Sequence, residues 1–417
     1  MEAHLTLLSS RDPSFLLLAS WTGGGHFAAA GAISAALKAA DGASSCCAID
    51  VLQECAGFPF SFFPKVYAFL ATRLPWLWWA LWSATDSRFL ADWLTVLGWL
   101  LAADRLRKLV QAHQPDVLVV LHPLLLRPAI RLRREFPWLR VACVVTDMVR
   151  LHAFWLHPEA DQYFVPTELA ARQALRSGVP AQRLVLSGQP IPSPLPASIG
   201  RRQAKGALGL CENVPLVVVT AGGAGLGLLG EVTASLAESG QCLQLAVICG
   251  RNETLRARLA GRSWPVPVRV LGFVQNMPVW LRAADVVVTK AGPNSLAEAM
   301  AEGLPTIIMG AVPGQETDNV SYLCGQGAAV WAPKPKLVGA AVARVLQEPE
   351  ERHRLAERAR AQARPEAAGI IASGLLSLVG ARPLLAHDAS HLEPSEESLA
   401  ATAKPLVTAK DASLRSA

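Results

Sequence analysis

Residues 285–303, DVVVTKAGPNSLAEAMAEG, constrain the backbone more than any other stretch, because a β-branched strand, a Gly/Pro turn and a helix follow one another without a break. Asp285 to Thr289 has the length and branching of a buried strand. Ala291-Gly292-Pro293-Asn294 must bend sharply, and Ser295 is placed to cap a helix whose Glu298 follows at capping-box spacing. Free N–H groups expected at Asn294, Ser295 and Leu296 would face whatever sits above the turn. The helix dipole there favours an anion by about 0.3–1 kcal/mol, and up to about 2 when partly buried. The same pattern also fits an ordinary strand-to-helix turn of an α/β protein.

The unit recurs. Phe15 to Ser20 is a strand, Thr22-Gly23-Gly24-Gly25-His26 a glycine loop, and Ala28 to Ala40 a helix of small and apolar residues. Side-chain-free Gly24 and Gly25 let a bound molecule approach the backbone, and His26 stands where a positive dipole end lowers an imidazole pKa. A neutral His26 there suits a general base; the alternative is a tight turn with a solvated imidazole. No Gly-Lys-Ser/Thr follows, so this is not a P-loop, nor is it the Gly-x-Gly-x-x-Gly dinucleotide pattern. A third unit opens the second half: strand Leu216 to Thr220, a turn containing Gly222 and Gly223, and a helix from Leu228 to Glu238. Two halves that begin alike predict an α/β chain of two Rossmann-like domains facing a central cleft.

Composition supports that division. The chain has 417 residues and 44.4 kDa, about twice a usual domain, and is 52% apolar. A net charge of +6 and a pI near 9.0 imply mild attraction to anions. Nucleic acid is discounted, since the basic residues are scattered and not interleaved with aromatics. The eight cysteines lack paired metal spacing and are expected to be reduced thiols. The run Phe15 to Ser20 is too short for a secretory signal core, and no segment has the length of a membrane-spanning helix.

One region is unusually apolar. Phe58, Phe60, Phe62, Phe63, Tyr67 and Phe69 lead into Trp76, Trp78, Trp79 and Trp82, and Leu90, Trp93, Leu94, Leu97, Leu100 and Leu101 recur at helical spacing. Such a stripe commonly forms core. Four tryptophans this close, however, are hard to pack with every indole N–H satisfied, and Trp favours membrane interfaces. With Lys65, Arg73, Arg88, Arg105, Arg107 and Lys108 flanking it, the segment is expected to dock on anionic lipid head groups.

The remaining pattern alternates strand and helix. Strands ending at His122-Pro123 and at Thr146-Asp147 place His122, Asp147, His152 and Trp155 near the cleft, because strand ends carry the chemistry in such folds. Ile191 to Pro196 is a proline-rich linker. The expected division is an acceptor and membrane-docking domain over 1–195, a donor domain with the terminal helices over 196–381, and a disordered tail over 382–417. The loop Pro313 to Asn319 groups Gln315, Glu316 and Asn319, side chains able to hydrogen-bond a polyhydroxylated ligand.

Taken in order, GGGH at 23–26, LHPLL at 121–125, VTD at 145–147, HAFWLH at 152–157, ICGRN at 248–252, GFV at 272–274, KAGPNSLAEAMAEGLP at 290–305 and PGQETDN at 313–319 resemble the monogalactosyldiacylglycerol synthase family over roughly residues 14–380. The resemblance implies a GT-B glycosyltransferase, related more distantly to processive diacylglycerol glucosyltransferases and to the lipid-linked N-acetylglucosaminyltransferase of peptidoglycan synthesis. It implies a UDP-sugar donor, most simply UDP-galactose, a diacylglycerol acceptor and anionic membrane lipids as partners, and peripheral attachment to the cytoplasmic face of a membrane, or to a chloroplast envelope in a photosynthetic eukaryote. Carried over by motif, His26 is the catalytic base with Asp147 beside it. Glu298 holds the ribose, and Gln315 and Glu316 face the sugar with Asn319 beyond. Gly222, Gly223, Gly292, Asn294 and Ser295 surround the diphosphate, and Phe273 and Val274 meet the uracil. Gly24, Gly25, His152 and Trp155 serve the acceptor side.

The chain departs from the plant-type pattern at Ser20-Trp21-Thr22, where the family has Ser-Asp-Thr, at Ala224, where it has Glu, at Asn294-Ser295, where it has Gly-Thr, and at Ala153-Phe154, where it has Pro-Thr. No Asp-x-Asp motif is present to hold a divalent ion, so inverting transfer with no metal or other cofactor is expected. A lipid hydroxyl needs a base as it attacks the anomeric carbon, and the leaving UDP needs its charge stabilised. Transfer of glucose or N-acetylglucosamine, epimerisation of a UDP-sugar, and an inactive membrane scaffold are the competing readings. Nothing in the sequence points to a protein partner.

Overall fold

Among the described residues twelve short strands pair only in parallel, as the helical crossovers that connect them within each sheet require. The computed structural model describes residues 12–21, 24–54, 62–223, 225 and 228–379. Expectations for Thr22, Gly23, Phe58, Phe60, Ala224 and the tail from 382 lie outside those residues.

In the first half β1 (Ser14–Ala19), β2 (Ser45–Asp50), β3 (Val117–Val120), β4 (Arg140–Val144), β5 (Gln162–Val165) and β6 (Leu184–Leu186) form a sheet in the order β2-β1-β3-β4-β5-β6. In the second, β7 (Leu216–Thr220), β8 (Gln244–Ile248), β9 (Val268–Leu271), β10 (Val286–Lys290), β11 (Thr306–Gly310) and β12 (Ala329–Trp331) are ordered β12-β11-β10-β7-β8-β9. Helices cover both faces, so Val117–Val120 and Val217–Val219 are buried throughout and show no polar alternation. The expected strand from Asp285 starts one residue later. The Asp285 carboxylate instead accepts from the Leu216 N–H at 2.9 Å and pairs with the buried Lys205 ammonium at 2.9 Å, tying β7 to β10.

Each sheet reverses its strand order beside its first strand, between β1 and β3 and between β7 and β10. At such a point the crossovers leave in opposite directions and open a crevice at the carboxyl ends. All three glycine turns found in the sequence follow a strand at one of these points. Both sheets belong to one compact unit.

Two sequence expectations need correction. The helix Ala367–Val379, assigned with the second domain, packs on the first sheet: Ile371, Ala372 and Leu375 join Phe15, Ile33, Leu37 and Phe164 in one core. Gly374 permits this, since a Cβ there would lie 2.6 Å from the Phe164 ring. Its small-residue composition alone could not reveal which sheet it covers.

The aromatic segment forms three helices, Phe63–Arg73, Pro75–Thr85 and Arg88–His113, and its tryptophans do not act as one surface. Trp76 and Trp79 are 66% and 54% exposed, but Trp82 is only 6% exposed. Trp82 lies against Gly314 of the second half, where an added Cβ would meet it at 3.1 Å, and edge-on to His152. Trp78 is half-buried against Tyr67, with its indole N–H lacking a partner. Among the described residues no helix is long and apolar enough to cross a membrane.

Candidate active site

A cavity of about 490 Å³ lies where the two crevices face each other. His26, Thr146 and Asp147 line it from the first half; Gly222, Gly223, Phe273, Val274, Lys290, Gly292 to Ser295, Glu298, Gln315 and Glu316 line it from the second.

His26 sits in the first turn of the helix Gly25–Ala40, preceded by Gly24 at φ 88°, a left-handed conformation that glycine adopts without strain. Its Nδ1 is 3.1 Å from the Thr146 hydroxyl, and the Leu121 backbone also bonds the ring. Burial lowers its pKa to about 4, so the imidazole is neutral at pH 7. Burial, and not the helix dipole expected from the sequence, is the main cause of that neutrality. Edge-on to it, with ring centroids 4.9 Å apart, is His122, which burial also holds far below the usual range.

Asp147 is not bonded to His26. Its carboxylate accepts from the Trp155 indole at 2.7 Å and from Gln315 Nε2 at 3.5 Å, and burial raises its pKa to about 6 against those hydrogen bonds. Trp155, fully buried, therefore orients Asp147 and does not reach the cavity. His152 is also absent from the cavity wall: its Nε2 lies 3.1 Å from the Trp82 carbonyl oxygen and 3.3 Å from the Thr85 hydroxyl, fastening the tryptophan helix. Both residues were expected near the cleft because they follow a strand end, and on the acceptor side because of the family resemblance. Their large rings fill the space behind it.

On the second half the helix Pro293–Ala301 points its N-terminus into the cavity. Gly292, not Ser295, is its N-cap, and no side chain caps it. Leu296 N–H bonds the Gly292 carbonyl at 3.0 Å, so the groups left for a ligand are those of Asn294 and Ser295. The Asn294 side chain faces the first half, donating to Gly25 O at 3.2 Å and accepting from Gln189 Nε2 at 2.8 Å. Gln189 also donates to the Thr146 carbonyl at 3.3 Å, so one amide chain joins the helix Pro293–Ala301 to the loop and threonine that hold His26.

Lys290 was missed in the sequence. Its ammonium pairs with Glu316 and stands over the helix N-terminus, 2.9 Å from where a Gly292 Cβ would be; its stem is 3.5 Å from the equivalent point on Gly222. It is the only lysine or arginine among the described residues that line the cavity. Glu316, expected to face a sugar, is buried by that pair and by a bond from Val312 N–H at 2.9 Å. Asn319 is buried outside the cavity, where its Nδ2 donates to Ala291 O at 2.9 Å and shapes the turn. Gln315 accepts from the Tyr67 hydroxyl at 3.3 Å, linking the aromatic segment to the site. The Glu298 carboxyl has no hydrogen bond or ion pair among the described residues, although the backbone carbonyl accepts from Glu302 N–H at 3.2 Å, and burial raises the carboxyl pKa to about 7. No group of three or more metal-ligating side chains occurs among the described residues.

The first half matches the family model described as Monogalactosyldiacylglycerol (MGDG) synthase over residues 26–191, and the second matches the Glycosyltransferase family 28 C-terminal domain over 216–373. The Arabidopsis thaliana chloroplastic monogalactosyldiacylglycerol synthase 3 is 32% identical over 373 residues, covering 86% of this chain and 80% of that one. Monogalactosyldiacylglycerol synthase 1 of the same plant is 31% identical over 347 residues, covering 80% of this chain, which spans 65% of that relative's length. Among solved structures, the kitacinnamycin glycosyltransferase superposes with a TM-score of 0.59 at 15% identity, covering 88% of this chain and 99% of that one. MurG of Acinetobacter baumannii does so at 0.53 and 15%, covering 88% and 99%, and the UDP-GlcNAc 2-epimerase of Neisseria meningitidis at 0.54 and 13%, covering 87% and 100%. These likenesses show the GT-B fold.

The unpaired Glu298 gives a stability test. Its folded pKa is raised from 4.5 to about 7, so the folded state holds the extra proton and stability falls as pH rises through that window. In melts of the unliganded protein, Glu298→Gln is expected to match the wild type near pH 4.5 and to melt higher above pH 7. Equal melting temperatures at both ends would show that Glu298 is not desolvated.

Proposed function

The chain belongs to the monogalactosyldiacylglycerol synthase family, and from that membership and the geometry of the cleft we propose that it transfers a hexosyl group, galactosyl in the simplest case, from a UDP-sugar to 1,2-diacylglycerol. The observation that carries this reading is the pairing across one cavity of a neutral, half-buried His26 with a lysine seated on a helix N-terminus. A base that is unprotonated at pH 7 suits an acceptor hydroxyl, and an ammonium beside free N–H groups suits a departing diphosphate.

In this mechanism His26, steadied by Thr146, takes the proton from the acceptor hydroxyl as its oxygen attacks the anomeric carbon. The bond from that carbon to the β-phosphate oxygen breaks, and the charge gathers on UDP. Gly222 and Gly223 admit the diphosphate to the backbone, while Lys290 and the N–H groups of Asn294 and Ser295 neutralise it. No step calls for a metal. Drawing Lys290 toward the phosphates loosens its hold on Glu316, which with Gln315 then receives hydroxyls of the sugar. Glu298 accepts from the ribose, a role that would relieve its unpaired state. Phe273, 56% exposed at the cavity wall, and Val274 border the base. Asp147, held by Trp155 and Gln315, orders the floor between donor and acceptor.

His26→Ala is expected to lower kcat by about two orders of magnitude or more and to leave UDP affinity nearly intact. Lys290→Ala should weaken UDP by about 1.5–3 kcal/mol, the range for hydrogen bonds to charged groups, and uridine far less. Calorimetric titration separates the two: loss of UDP binding in the His26 variant, or equal losses for UDP and uridine in the Lys290 variant, contradicts these roles.

The acceptor arrives from a membrane, and the protein is proposed to attach peripherally through the helices that precede β3. Val66, Phe69, Trp76, Trp79, Phe89 and Trp93 are exposed there, an apolar set of the kind that enters the head-group layer. Trp82 is excluded from this role by its burial. Trp76→Ser combined with Trp93→Ser should reduce co-sedimentation with diacylglycerol vesicles by at least about tenfold while UDP binding and the melt are preserved. Undiminished co-sedimentation would move the docking face elsewhere.

A further inference from the structure

Trp21 precedes the first glycine loop, at a position where the plant-type pattern has Asp. Phe27, the residue after His26, stacks on its ring with centroids 4.1 Å apart and planes 12° from parallel. From the second half, the Arg251 guanidinium lies 3.6 Å from the same ring centroid. Two groups this close cannot share a face, so the indole is sandwiched between them. Arg251 also lies 5.2 Å from the Phe273 ring. Phe273, Arg251, Trp21 and Phe27 thus form a ladder across the cleft, with two members from each half.

The donor-side end of the ladder is firmly set. Arg251 N–H donates to Gly223 O at 2.9 Å, and Gly250, at φ 58°, would bring a Cβ to 2.4 Å from that oxygen. The turn carrying Arg251 is therefore locked to the loop that borders the diphosphate. The side chain itself pairs with no carboxylate among the described residues, and the indole face is its nearest aromatic partner. Of the aromatic rings, Trp gives a cation over its face the most favourable contact. At the other end Phe27 adjoins His26 in the helix Gly25–Ala40, so the indole presses on the turn that aims the base.

We propose that Trp21 is a positioning residue for the transfer reaction: clamped by Arg251, it fixes Phe27 and hence His26 relative to the donor-side loop. The base is then aligned only while the two halves hold this arrangement. This proposal rests on the transferase reading above. It differs from a simple wall of the donor pocket, because its effect falls on turnover and not on donor affinity.

The test is steady-state kinetics of the full chain with UDP-galactose and diacylglycerol vesicles, comparing Trp21→Ala, Trp21→Phe, Arg251→Ala and the double variant Trp21→Ala/Arg251→Ala. Trp21→Ala should lower kcat about tenfold with donor KM within about twofold, and Trp21→Phe, which keeps an aromatic face, should stay within about threefold of the wild-type kcat. Arg251→Ala should also lower kcat, and the double variant should be no slower than the slower single one, because both remove the same contact. Wild-type kcat in Trp21→Ala, a loss confined to donor KM, or single losses that multiply in the double variant would each overturn the proposal. Should Trp21→Ala melt early, Trp21→Phe and Arg251→Ala still decide: an unchanged kcat in Arg251→Ala overturns it. A wild-type protein that transfers none of the UDP-hexoses defeats the transferase reading itself, an outcome distinct from an active wild type with an equally active Trp21→Ala variant.

Discussion

Two parallel sheets whose strand order reverses beside the first strand must each leave a crevice, and nearly everything functional in this molecule follows from where those crevices open. The turn after β10 puts a helix N-terminus in one; the turn after β1 puts His26 in the other. Because backbone lines much of the cavity at these turns, the sequence there needs small residues more than charged ones. Gly292 illustrates this, lying close enough to the Lys290 ammonium that a Cβ would crowd it.

Burial then sets the chemistry. The same loss of water that lowers His26 to about 4 raises Asp147 to about 6 and Glu298 to about 7. An imidazole made neutral can accept a proton, and carboxyls near neutrality are poised for ligand hydroxyls. Lys290 pairs with Glu316 in the same cavity. In the proposed function this ion pair is a reservoir of charge for a diphosphate to claim.

The fold was largely legible in the sequence because apolar strands, glycine turns and helix starts are local signals, and the three glycine units fall at the two crevices as expected. Side-chain partners were not, because they depend on contacts between distant segments. Nothing near Asn294 shows that its amide will reach Gly25 and Gln189, more than 100 residues away in either case. The tryptophan cluster shows the same limit: the density of indoles suggested one membrane-facing set but could not tell that Trp76 faces solvent and Trp82 faces Gly314. Lys290 was readable in principle, as a cation ending a strand immediately before an anion-binding turn. Trp155 and His152 had no such signal, since an aromatic after a strand end serves equally to line a site or to back it.

The central claim is that one cleft aligns a neutral base and a cationic leaving-group site on opposite sides of an anomeric carbon. It is tested most directly by incubating the protein with diacylglycerol vesicles and a panel of α-linked UDP-hexoses, and reading the anomeric configuration of the lipid product by NMR. The account predicts a β-linked monohexosyldiacylglycerol formed in step with UDP release. An α-linked product, or UDP released with no glycolipid formed, would contradict it.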